Sequence, residues 1–330
     1  MRRRTSHSGA RVAFGEFAVS RNSPSAARRR LRRRGVSRFL YGLPMTPEMW
    51  DLLRPFRDEA VARDIPVDDV ERWLGIARPC ATLTRDGDGP VMGRFGGPLL
   101  LPADVPDPAH PFVASIDLAA LPADATDLPL PPDGHLLLFA FPETADDDDT
   151  MGSVVYVPAG TAVTQRDRNA WNTFDFEDEE AMFEAFPQGP LRATASVSLP
   201  YHHAVEFLGE PGSGPLPGHP RSEELVEVWD STQDAIAPAG PLQIGGYAWE
   251  EAIYTDPVAI AAFRAVKAAE AGRWDGPVSG DVSDWVLLAD WQAGMDVEGW
   301  ESATVHWVIQ REDLAAWRFD RAFTSVFWNP

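Results

Sequence analysis

Between Gly93 and Ala140 the chain carries three apolar bursts with fixed punctuation: GRFGGPLLLP, PFVASIDLAALP and LPPDGHLLLFA. Each is short enough for a strand and is flanked by Gly or Pro, so the region predicts buried strands joined by tight turns. GRFGG lacks the trailing Gly-Lys-Ser/Thr of a phosphate loop and runs into Pro98 and a strand instead of a helix N-terminus. The pattern constrains a fold and is silent on a reaction.

Helical spacing of Trp50, Leu53 and Phe56 predicts a helix over Pro47 to Asp64 entered through Thr46, and a second follows over Val67 to Ala77. Strands are expected at Ala81–Thr84, Phe112–Ile116, His135–Phe141, Val154–Val157 and Ala193–Leu199, and a short helix near Ala181–Phe186. The second half predicts helices over Ser222–Asp230, capped by Ser222, and Pro257–Ala271, entered through Asp256. Strands follow at Leu242–Gly246, Asp284–Leu288 and Thr304–Ile309, with a final helix at Glu312–Trp317. DLAAL at Asp117–Leu121 and DLAAW at Asp313–Trp317 each follow an apolar strand, which points to duplication of one unit. The first half reads as mainly β and the second as a more even mixture of helices and strands. Residues 45–78 form a helical N-terminal piece and 79–330 the α+β domain.

The order G-x-F-G-G-x-P-x-L-P, I-D-L-x-x-L-P, D-G-x-L-x-x-F resembles the N-terminal half of the YwqG-like bacterial proteins, a family of unknown function. LQIGGYAW at Leu242–Trp249 resembles that family's Gly-Gly-Tyr segment, WVLLADW at Trp285–Trp291 its late apolar strand, and VHWVIQREDLAAWRF at Val305–Phe319 its closing strand and turn. The chain departs from the family where Trp249 and Trp328 replace glutamines. The resemblance covers roughly residues 79–323 and is the main warrant for the fold class expected here, α+β and mainly β, built as two packed antiparallel-rich sheets or a barrel-like roll flanked by helices; it implies no activity.

Charge divides the chain. Residues 1–44 hold 12 arginines against Glu16, a formal +11, whereas the remainder holds 17 basic and 49 acidic residues, a formal −32. The first segment lacks the apolar periodicity of a core and is expected to be a disordered arm. It is read foremost as translated sequence upstream of a true start at Met45. As a nucleic-acid arm it would neutralise phosphates but offers few stacking aromatics, and as a targeting peptide it lacks an apolar centre. Lys267 is the one lysine, so the acidity and arginine usage fit a GC-rich coding bias. The acidic body repels nucleic acid and anionic membrane and attracts basic proteins. No apolar run nears the roughly 20 residues of a membrane span, and the single cysteine, Cys80, reads as a small core residue. A cytoplasmic location is expected.

Catalytic patterns are absent from the sequence. His202 and His203 adjoin Tyr201 and precede Glu206, yet neighbours on a strand face opposite ways, and no HExxH or CxxC accompanies them. His135 and His306 fall within strands and read as structural. The run Asp146–Asp149 lacks calcium-loop spacing, and no G-x-S-x-G is present. No metal and no cofactor is implied. Trp285, Trp291, Trp300, Trp307, Trp317 and Trp328 crowd the C-terminal part, more than a small core readily uses. The candidate ligand-binding residues are therefore Arg94, Asp117, Tyr247, Trp249, Trp285 and Trp307. Two functions are expected: a non-enzymatic acidic module that binds a basic protein, as an immunity or antitoxin-like protein would, or a small-ligand-binding or hydrolytic protein with an aromatic pocket.

Overall fold

The structure, a computed structural model, describes residues 45–141, 149–166, 183–206, 213–249, 255–297 and 303–328. The expectations for segment 1–44, for Asp146–Asp148, for the start of the helix near Ala181 and for Trp300 lie outside these residues.

Three short helices open the described chain: α1 (Pro47–Leu52), α2 (Arg54–Ala62) and α3 (Val67–Leu74). Thr46 caps α1 as expected, its hydroxyl accepting from the Met49 amide. The single helix expected over Pro47–Asp64 is broken at Leu53, because Pro55 has no amide proton to continue the ladder. The strands β1 (Arg78–Thr84), β2 (Val91–Phe95), β3 (Leu99–Pro102), β4 (Phe112–Asp117), β5 (His135–Ala140), β6 (Gly152–Val157), β7 (Val163–Arg166), β8 (Gly189–Ser198), β9 (Ala204–Glu206) and β10 (Ser213–Pro215) follow. Then come α4 (Ser222–Thr232), β11 (Leu242–Gly245), α5 (Pro257–Glu270), β12 (Trp285–Gln292), β13 (Ala303–Gln310), α6 (Arg311–Ala315) and β14 (Phe323–Trp328). Ser222 is not the cap of α4 but its first residue: its hydroxyl donates to the His203 carbonyl at 2.7 Å and accepts from the Leu216 amide.

Ten strands form one antiparallel sheet in the order β14-β13-β12-β11-β1-β8-β2-β4-β5-β6. Its two edges meet where the Met151 amide, next to β6, donates to the Thr324 carbonyl of β14 at 2.9 Å, so the sheet is a nearly closed roll. Alternation along the strands sends Leu83, Phe95, Leu138, Trp291 and Trp307 inward to one core. Three satellites cover the outside and one end. Helices α1–α4 pack Phe56, Trp73 and Trp229 with Val197 and Leu199. Helix α5 covers Trp285, Leu287, Val308 and Phe323, and the β3–β7 pair covers Phe112, Leu137, Phe139 and Val157.

The roll consists of two halves on one plan, β2-β4-β5-β6 and β11-β12-β13-β14. Arg94 pairs with Ser115 and Phe95 with Ala114 in the first, as Gln243 pairs with Asp290 and Ile244 with Ala289 in the second. Both β2 and β11 end in a Gly-Gly pair with positive φ, Gly96–Gly97 and Gly245–Gly246. The register shift between Phe112 and Ala114 has its counterpart between Leu287 and Ala289, and a 3-10 turn follows β4 and β12 alike. The correspondence expected between DLAAL and DLAAW is not found: in the shared plan the turn after Asp117 matches that after Gln292, and Asp313–Trp317 has no counterpart in Asp117–Leu121. The first strands cross over, β1 pairing with β11 and β8 with β2.

Candidate functional site

The Gly245–Gly246 turn decides the site. With φ of +70° and +73°, both residues turn the chain back across the ends of β1 and β8. A Cβ on Gly246 would stand 2.8 Å from the Cys80 Cβ and 3.0 Å from the Ser198 Cβ, so only glycine permits the approach. Gln243 fastens the turn by donating from Nε2 to the carbonyls of Gly245 and Tyr247, each at 2.9 Å. Ser198 Oγ accepts from the Tyr247 amide at 3.1 Å.

The turn delivers Tyr247 to groups from five other segments. Its hydroxyl donates to the Ile76 carbonyl at 2.7 Å, and the Arg78 guanidinium lies 5.6 Å from its ring centroid. Arg78 is held as a fork by Asp127, with Nε–Oδ2 and Nη2–Oδ1 both 2.8 Å, while Nη1 donates to the Gly246 carbonyl at 2.9 Å. Burial opposes the Arg78 charge, but Asp127 outweighs it and holds the pKa above the usual arginine value. Burial pushes the Tyr247 phenol up to about 12, with Arg78 opposing and Asp256 and Asp127 reinforcing.

His202 sits edge-on to Tyr247 at 6.2 Å between ring centroids, with Nε2 3.9 Å from Asp256 Oδ2. Asp256 also accepts from the Val258 amide and so caps α5, the role read from sequence. An isolated bridge between Ala204 and Thr255 ties the two approaches together. From the far side comes Arg311, the first residue of α6, whose Nε donates to the Ser283 carbonyl at 3.0 Å. Burial and then Arg78 lower its pKa, against the pull of Asp127, Tyr247 and Asp284.

Beside the turn, Trp249 is fixed by its main chain. Its amide donates to Asp290 Oδ2 at 3.0 Å, and its carbonyl accepts from His306 Nε2 at 2.9 Å. Asp290 and His306 are cross-strand partners, so one pair on the sheet grips both sides of a single residue. Burial lowers His306 to about 4, so it is neutral at pH 7. Cys80 is pushed up to about 12 by burial and by Asp290. With the thiol and phenol both protonated, the cluster supplies donors and charges, not an activated nucleophile. Among the described residues no group of three or more His, Cys, Asp or Glu is placed to hold a metal ion.

The six residues expected from sequence are not gathered in one place. Tyr247 and Trp249 belong to the cluster. Arg94 is exposed on β2, separated from β11 in the sheet by β8 and β1, and its guanidinium lies over Gly97. Asp117 ends β4 and accepts from the Ala119 amide at 3.1 Å. Trp285 and Trp307 occupy opposite faces: Trp285 lies under α5 and donates to the Ser279 carbonyl, while Trp307 lies inside the roll and donates to the Phe139 carbonyl. Trp291 is buried in the core and Trp317 is exposed. Arg78, Asp127, Ser198, Asp256 and Arg311 escape a reading of the sequence, because four of them sit at element ends, where a polar residue reads as a cap or a solvated turn, and Asp127 lies in the loop between β4 and β5.

A family model described as a domain of unknown function (DUF1963) matches residues 93–326. The match takes in Asp127, His202, Tyr247, Asp256 and Arg311 and begins after Arg78. No curated protein matches the chain.

Proposed function

We propose that this chain, which belongs to the DUF1963 family of unknown function, binds a small ligand at the Tyr247 turn and does so without covalent chemistry. The observation that carries this reading is the contrast between the two halves of the roll. Counting from the paired strands, Arg78-Pro79-Cys80 corresponds to Phe186-Pro187-Gln188, and Tyr247 to Pro98. The first half closes the same glycine turn with Gln188 Oε1 accepting from the Gly97 amide and needs no ionisable cluster. The fold therefore does not require Arg78, Asp127, His202, Tyr247 and Asp256 to meet, and burying such groups carries a desolvation cost that pairing offsets only in part.

The −32 body favours a second reading, a cytoplasmic, YwqG-like acidic module that meets a basic protein, in the manner of an immunity protein. The two separate cleanly. Thermal denaturation of the full chain with the dialysable fraction of the native host's extract should give a saturable rise in midpoint that Tyr247→Ala abolishes. No rise with that fraction, and a rise that instead follows added basic protein and fades with salt, would replace the first reading by the second.

A further inference from the structure

We propose that the ligand at the Tyr247 turn carries an anionic group, a carboxylate or a phosphate, and that Arg311 receives it. This rests on the Tyr247 turn being a ligand site and adds the chemistry of what enters it. Burial and then the Arg78 charge lower the pKa of Arg311, yet the two guanidiniums are used differently. All three nitrogens of Arg78 are committed, two to Asp127 and one to the Gly246 carbonyl. Arg311 is anchored through Nε alone, by the Ser283 carbonyl. Among the described residues no carboxylate lies within ion-pair distance of it, although Arg78, Arg85, Arg166 and Arg318 each hold one in this acid-rich chain. Its two terminal amino groups form the planar fork that matches a carboxylate or phosphate edge, and the residue is open to solvent.

His202 supplies a second, independent sign of a missing partner. The residue is 6% exposed, its Nδ1 has no hydrogen-bond partner, and Nε2 stands 3.9 Å from Asp256, beyond hydrogen-bonding distance. A buried imidazole whose Nδ1 has no partner is open to a polar group, and its ring meets the same tyrosine that Arg78 overlies and that feels the Arg311 charge. The site thus offers a fixed positive fork for an anion and an imidazole for a hydrogen-bonding substituent of the same molecule.

The test titrates the full chain with inorganic phosphate, acetate and citrate at constant ionic strength, reading the thermal midpoint and tryptophan fluorescence. At least one probe should give a saturable shift that Arg311→Gln loses, that Arg311→Lys weakens by roughly tenfold through loss of the fork, and that Arg54→Gln on α2 leaves unchanged. A response to phosphate alone assigns a phosphoryl ligand, and a response to acetate or citrate alone a carboxylate. Absence of saturation with all three, or an equal shift in Arg311→Gln, overturns the anion. If the host's dialysable fraction still acts through Tyr247 in that case, the ligand site stands and only its charge preference falls.

Discussion

Gly246 is the residue on which the site turns. Its φ of +73° strains any side chain, and the adjacent Cys80 and Ser198 leave no room for one. Gly246→Ala should cost about 3 kcal/mol or more in urea unfolding, strain and displacement adding. Gly160 offers the control, with φ of +77° and nothing within 4 Å, so Gly160→Ala should cost only about 1 kcal/mol. Equal costs would mean that the close approach contributes nothing. His306 makes a pH prediction. Its folded pKa of about 4 lies below the ordinary 6.5, so the unfolded chain binds the extra proton between those values. Stability should therefore fall as pH drops from 6.5 towards 4, by about 3 kcal/mol from this residue. His306→Gln should flatten that part of the urea-midpoint profile, and an unchanged slope would assign it to other groups. Tyr247 was legible because it sits in a glycine-marked motif. Arg78 and Asp127 were not, since a bidentate pair between residues 78 and 127 depends on a loop laid across a strand end, which no local pattern encodes.

At the scale of elements, an apolar burst marks a strand buried on both sides, as at β5, whereas β12, expected to stop at Leu288, runs on through the buried Asp290 to Gln292. The closing strand β14 was missed: Thr324 and Ser325 are both buried in the middle of it, so no apolar run advertises it. The plan shared by the two halves is not carried by DLAAL and DLAAW, because the matching positions share glycines, bulges and register more than residue identity. Equivalent sheet positions carry different covers, a strand pair in one half and a helix in the other. Phe112 and Leu287, at matched bulges, are each 0% exposed beneath those covers. Phe112→Ala and Leu287→Ala should each destabilise by about 3–4 kcal/mol. A negligible loss at either in chemical denaturation would show that its cover is not packed as described.

For the whole molecule, a roll closed from two like halves leaves the sheet edges bonded to each other and frees the ends for elaboration. The ionisable cluster lies at the turn after β11, in a body of formal charge −32. Self-repulsion in so acidic a chain should make the thermal midpoint rise as salt is raised from about 0.01 to 0.5 M, as screening shortens the reach of each charge. A midpoint that falls or stays flat would mean that paired charges, not net repulsion, govern the response. No helix among the described residues is long and apolar enough to cross a membrane. The central claim is that a small ligand occupies the Tyr247 turn, and backbone hydrogen exchange with and without the host's dialysable fraction tests it most directly. Added protection confined to the segments around Arg78, His202, Tyr247 and Arg311 is the predicted result. Protection spread elsewhere, or none in these four segments, would contradict it.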